Sequence, residues 1–216
     1  MPRDERKHQK VLMKKRSKQK ATSQHKTQQT TMTAFSEQSI LRRAREYPIL
    51  ECRISSDWQK EQPGLVQILV ARQQPDGDIC FGFYLVDKLC LGLKNTLAHA
   101  GFSPARYRSE FRDKVFRATK AKDCPVELAH QMIYASIEYA AQFGFEPERD
   151  FALSQYMLEP RGELKELNKI TFGRNGKPFF IAGPNDNVAR VLRQLEKTAG
   201  TGNFDFVAPM GDMDVF

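Results

Sequence analysis

The feature that most limits what this chain can fold into is a pair of apolar runs, Leu65–Arg72 and Ile79–Val86, joined by Gln73-Gln74-Pro75-Asp76-Gly77-Asp78. Proline suits the first central position of a type I turn, and glycine the left-handed position of a bulged hairpin, so the two runs pair antiparallel. In the second run Ile79, Phe81, Phe83 and Leu85 share one face while Cys80, Tyr84 and Val86 share the other. A strand that is apolar on both faces belongs inside a sheet. Upstream, Ile49–Ser55 alternates, with Leu50, Cys52 and Ile54 on one side and Glu51, Arg53 and Ser55 on the other, the pattern of a half-buried strand.

Helical signals occupy the rest. Ser39–Glu46 predicts a short helix that Pro48 ends. Lys88 to Gly144 reads as mainly helical, most clearly over Pro125–Phe143, with proline in the first turn, Gly144 as the stop, and a stripe through Ala129, Met132, Ile133, Ile137 and Ala140. Ile170–Phe172 and Phe179–Ile181 flank Arg174-Asn175-Gly176-Lys177, where Asn-Gly predicts a second hairpin with Pro178 at an edge. A last helix spans Asn187–Thr198. The expected class is α+β: an antiparallel sheet built from two hairpins, packed against a cluster of helices, with a basic, disordered N-terminal arm. The expected divisions are arm and polar linker over 1–33, one domain over 34–207, and a short acidic tail over 208–216.

Charge is where function enters. The chain carries 34 Lys+Arg against 26 Asp+Glu, a formal +8. The first 30 residues hold ten of those cations and two anions, which leaves 24 of each sign in residues 31–216. The basic character therefore belongs to one end, which excludes a histone-like, uniformly basic protein. Val11, Leu12 and Met13 are three apolar residues in a row and cannot form a buried stripe, so the segment predicts disorder alone and order against phosphates. Met32 opens the stretch MTAFSEQS and can serve as a start in its own right, from which the charged segment would be missing. The domain is polarised too: residues 104–122 hold seven cations and two anions, whereas 123–166 hold three cations and nine anions. On a helix from Pro104, Tyr107, Phe111 and Val115 fall on one face as core, and the arginines between them face outward.

Motifs with catalytic resemblance fail on chemistry. Gly101-Phe102-Ser103-Pro104-Ala105 mimics a nucleophile elbow, but the residue after the serine must offer an N–H to the oxyanion, and Pro104 has none. Ser103 reads instead as a helix cap. Gly173-Arg174-Asn175-Gly176 matches a phosphate-clamping G-x-x-G by letters, yet lies between strands rather than helices. Asn185 or Asp186 reads as the cap of the last helix. The cysteines, Cys52, Cys80, Cys90 and Cys124, contain no C-x-x-C pair and read as reduced, mostly buried small hydrophobes. His130 falls on the more polar side of its helix. No motif calls for a metal or a cofactor.

The expected function is non-catalytic RNA binding, RNA favoured over DNA, in association with a ribonucleoprotein. The contacts expected are Arg3, Arg6, Lys7, Lys10, Lys14, Lys15, Arg16, Lys18 and Lys20 in the arm, with Arg106, Arg108, Arg112, Lys114, Arg117 and Lys120 in the domain. One alternative is a metal-dependent nuclease using the strand-end carboxylates Asp57 and Asp87. The other is a protein–protein adaptor that engages a basic partner through the acidic stretch 123–166 or the C-terminal end. With no apolar run near the length of a membrane span and no secretory signal core, a cytoplasmic protein without a membrane partner is expected.

Overall fold

The computed structural model describes residues 36–61, 64–162 and 169–208. The chain divides after Ile40, and the unit described below begins at Leu41. Its frame is a five-stranded antiparallel sheet of β1 (Ile49–Ser55), β2 (Leu65–Gln73), β3 (Ile79–Asp87), β4 (Gly92–Phe102) and β5 (Ala121–Asp123), in the order β4-β3-β2-β1-β5. The first four strands form a meander, and β5 returns to the free edge of β1. The hairpin turn closes as its residues dictate: Gly77 sits at φ 89°, its N–H donates to the Gln74 carbonyl, and the Asp78 N–H donates to Asp76 Oδ1 at 3.1 Å.

Both faces of the sheet are covered, as the two-sided apolar pattern of β3 requires. Helix α1 (residues 104–115) crosses one face, where Tyr107, Phe111, Val115 and Phe116 pack on Leu69, Ala71, Ile79 and Phe81. Helix α2 (Val126–Ala141) covers the other, setting Leu128, Ala129, Met132 and Ile133 against Cys52, Ile54, Ile68, Tyr84 and Val86. Beside α2 lie a short helix α3 (Phe151–Ser154), its 3₁₀ continuation Gln155–Met157, and the 3₁₀ turn Ala44–Glu46. Arg72, 2% exposed, ties these turns to β2: it donates to the carbonyls of Met157 (3.0 Å) and Tyr47 (2.9 Å) and pairs with Glu159 at 2.5 Å. Helix α4 (Val188–Thr198) closes a smaller cluster with Cys90, Phe180, Val191 and Leu195.

The α+β class stands, but several expected details do not. Gly92–Phe102, expected to be helical, is the eleven-residue strand β4 on the edge next to β3. The second hairpin is a turn without arms: Arg174 and Lys177 bridge each other, but β6 (Phe179–Ile181) pairs parallel with β7 (Asp205–Val207) in a separate two-stranded sheet. The sheet at the centre thus comes from one meander rather than two hairpins. His130, expected on a polar face, is buried, and its Nε2 lies 3.1 Å from the Glu159 carbonyl. Helix α4 is capped by Asn187, which accepts from the Arg190 N–H at 3.0 Å; Asp186 instead pairs with Lys94 at 2.5 Å. Among the described residues no helix is long and apolar enough to cross a membrane.

Candidate nucleic-acid interface

Helix α1 begins where the sequence says it must. The Ser103 hydroxyl accepts from the Arg106 N–H at 3.4 Å, and Pro104 occupies the first turn. Its middle, Tyr107–Arg112, is wound as a π-helix. Phe81 anchors it, with ring centroids 5.2 Å from Tyr107 and 4.3 Å from Phe111. A polar pin reinforces the aromatic contact. Glu51 on β1 accepts from the Tyr107 hydroxyl at 2.7 Å and from Arg112 Nε at 3.0 Å. Burial, and then the bond to Glu51, push the Tyr107 phenol well above its ordinary value, so it remains a donor.

The pin sorts the cations of residues 104–122. Arg112 is half-buried and committed to Glu51 and Asp113, which departs from the expectation that every arginine here faces outward. Arg106 pairs with Glu110 at 2.8 Å and lies over the Phe102 ring at 3.9 Å. Arg108, Lys114, Arg117 and Lys120 are exposed and have no ion pair among the described residues. Lys122, also exposed, stands 5.8 Å from the centre of the Trp58 ring.

Below the end of α1 the surface is concave. A cavity of about 660 Å³ is walled by Arg53, Arg112, Arg117 and Lys120, with Asp113 as its acid and Phe116 as its aromatic. Arg53 comes from β1, where its guanidinium lies 5.7 Å from the centre of the Phe116 ring and 3.2 Å from Asp123 Oδ1. Sequence reasoning missed Arg53 and Phe116. The available signal for Arg53 was its place on the face of β1 shared with Glu51; nothing local marks Phe116. Arg117 and Lys120, the two cations of this wall without an acid partner among the described residues, can hold phosphate oxygens beside the partly exposed Phe116 ring.

The other expected residues fall elsewhere. Arg3, Arg6, Lys7, Lys10, Lys14, Lys15, Arg16, Lys18 and Lys20 lie outside the described residues. Asp87 ends β3 but is 5% exposed, and its carboxylate accepts the backbone N–H groups of Leu89 (2.9 Å), Cys90 (3.2 Å) and Leu91 (3.2 Å). Burial raises its pKa against the pull of those N–H groups. Asp57 sits in the turn after β1, where its carbonyl accepts from the Lys60 N–H. Among the described residues no three His, Cys, Asp or Glu side chains converge in a metal-binding arrangement. In the acidic stretch, Glu159 is taken by Arg72 and Glu138 by Arg161, while residues 163–168 lie outside the description. The C-terminal residues 209–216 do as well.

The geometry defines an α+β domain with a charged helix laid across one face of its sheet. No protein-family model matches the chain, and no curated protein or solved structure matches it either.

Proposed function

We propose that this protein binds RNA without acting on it chemically, in the cytoplasm and in association with a ribonucleoprotein, holding phosphates with its basic N-terminal segment and with the surface of α1 and the segment after it. The observation that carries this reading is the set Arg108, Lys114, Arg117 and Lys120: four exposed cations within 13 residues, none neutralised by an acid among the described residues. An exposed array of one sign concentrates counterions, and phosphates that displace them bind with a gain in entropy. Phosphate contacts carry no sequence information, so discrimination would rest on the shape of the bound RNA and on stacking at Phe116.

The test is co-purification of the full chain from cells, with and without nuclease treatment, beside a version beginning at Met32. Nuclease-sensitive RNA recovered with the full chain, and reduced in the shorter version, is the expected result. Absence of RNA from the full chain overturns the proposal. Equal recovery by both versions removes the N-terminal segment from it and leaves α1.

A further inference from the structure

Cys52 and Cys124 stand apart from the other cysteines. The register of β5 against β1 pairs Arg53 with Asp123 and Ile54 with Lys122, and one step further it sets Cys52 opposite Cys124. The Cys124 N–H donates to the Cys52 carbonyl at 3.0 Å, and the two Sγ atoms are 3.5 Å apart. Directly opposed residues of a hydrogen-bonded antiparallel pair have Cα atoms about 5.5 Å apart, inside the range a disulfide spans. We infer that Cys52 and Cys124 are a reversible disulfide site, oxidised by hydrogen peroxide and reopened by thiols.

The two thiols are unequal in the way such a reaction needs. Cys124 is partly exposed and Cys52 is buried. With Cys52 donating, their hydrogen bond holds the Cys124 thiol below its ordinary value, while the same bond, and then burial, push Cys52 far up. Cys124 is therefore the sulfur that meets the oxidant. Its thiolate attacks one peroxide oxygen, the O–O bond breaks, hydroxide leaves, and a sulfenic acid forms. Cys52 loses its proton to that hydroxide and attacks the Cys124 sulfur. The S–O bond breaks, and its oxygen leaves as water once protonated. In sum, two thiols and one peroxide become one disulfide and two waters. Cys80 and Cys90 are buried internal controls, and burial holds Cys80 up at about 11.

The bond would act on the shortest strand of the main sheet. β5 has three residues paired to β1 at one edge, and it follows directly on Lys120. A covalent tie at its end would fix β5 and Lys122 to β1.

The experiment treats the full chain with hydrogen peroxide, denatures it, alkylates it with a maleimide and maps it by mass spectrometry. Expected is the loss of two of the four alkylatable thiols and the appearance of a peptide pair joining Cys52 to Cys124, both reversed by dithiothreitol. Four thiols still alkylated, Cys124 carried to the sulfinic acid with Cys52 still alkylated, or a bond between two chains would each overturn the inference. In Cys52→Ser the sulfenic acid should persist on Cys124 and be trapped by dimedone. Cys124→Ser, which removes the more exposed thiol, should leave Cys52 alkylatable after the same treatment.

Discussion

Replacing Arg117 and Lys120 together by glutamine separates a phosphate-binding surface from a merely solvated one. Both side chains are exposed and have no ion pair among the described residues, so their loss should change folding stability by no more than about 0.5 kcal/mol. Each cation that meets a phosphate contributes about 0.9 to the slope of log affinity against log salt on a duplex, so the double variant should be shallower by about 1.8. With the intercept near 1 M salt unchanged, that is about sixty-fold weaker binding at about 0.1 M. Arg112→Gln makes the contrast. It removes the 3.0 Å bond to Glu51, whose side chain is 18% exposed, and should cost about 1.5–3 kcal/mol of stability while leaving the slope alone. Fluorescence anisotropy on an RNA hairpin between about 50 and 200 mM salt gives the slopes, and urea unfolding gives the stabilities. An unchanged slope for Arg117→Gln/Lys120→Gln would refute the reasoning; so would a shallower slope for Arg112→Gln, because the division of cations made by the Glu51 pin would then be wrong.

The remaining predictions concern stability and pH. Asp87→Asn turns a donor toward the Leu91 N–H, so it should cost about 1–3 kcal/mol in urea unfolding, while Asp57→Asn/Asp87→Asn should leave nucleic-acid processing in a cleavage assay the same as in the parent, because Asp87 is occupied by backbone N–H groups. Burial lowers the His130 pKa, so the unfolded chain takes up a proton first: stability should be full above about pH 6.5 and fall as pH drops toward the folded value, and His130→Gln should flatten that fall in a series of urea melts. Gly92 lies at φ 67° with no room beside Ala140 and the Ser136 carbonyl, and Gly92→Ala should lower the unfolding midpoint by the equivalent of about 1–3 kcal/mol. Closing the Cys52–Cys124 bond across 72 residues should raise stability by at most about 4 kcal/mol, read as a higher urea midpoint after oxidation.

What could be foreseen from residues alone follows the range of the forces involved. β1, β2, β3 and α2 were foreseen because each carries its burial pattern within its own length. β4 hides because Leu, Lys and Ala are helix formers, and Thr96 is its one β-branched residue; pairing of Phe81 with His99, Phe83 with Leu97 and Leu85 with Asn95 overrides that preference. The Asn-Gly turn shows where local inference stops. Asn175 and Gly176 do adopt positive φ, 52° and 78°, and Arg174 and Lys177 exchange both backbone bonds at 2.8 and 3.0 Å. The next ladder donor would be the Phe179 N–H, since Gly173 and Pro178 face each other as a non-hydrogen-bonded pair; it donates to the Leu89 carbonyl instead, and β6 finds its partner 26 residues later in β7.

The same limit governs the interface. Arg112 and Arg117 are indistinguishable by sequence: each follows a phenylalanine in a basic segment, and each adds one charge. Glu51, 61 residues upstream, decides that Arg112 holds the helix down and leaves Arg117 exposed. A count of seven cations in residues 104–122 therefore overstates what a phosphate can meet, since Arg112 is spent inside the fold and Arg106 already has Glu110. Arg53 reaches the same cavity from β1, outside the segment, but it too has an acid, Asp123, at 3.2 Å and does not raise the count. Net charge along the chain locates the polarised region; the number of phosphates it can hold follows from ion pairs between strands and helix, which are tertiary contacts.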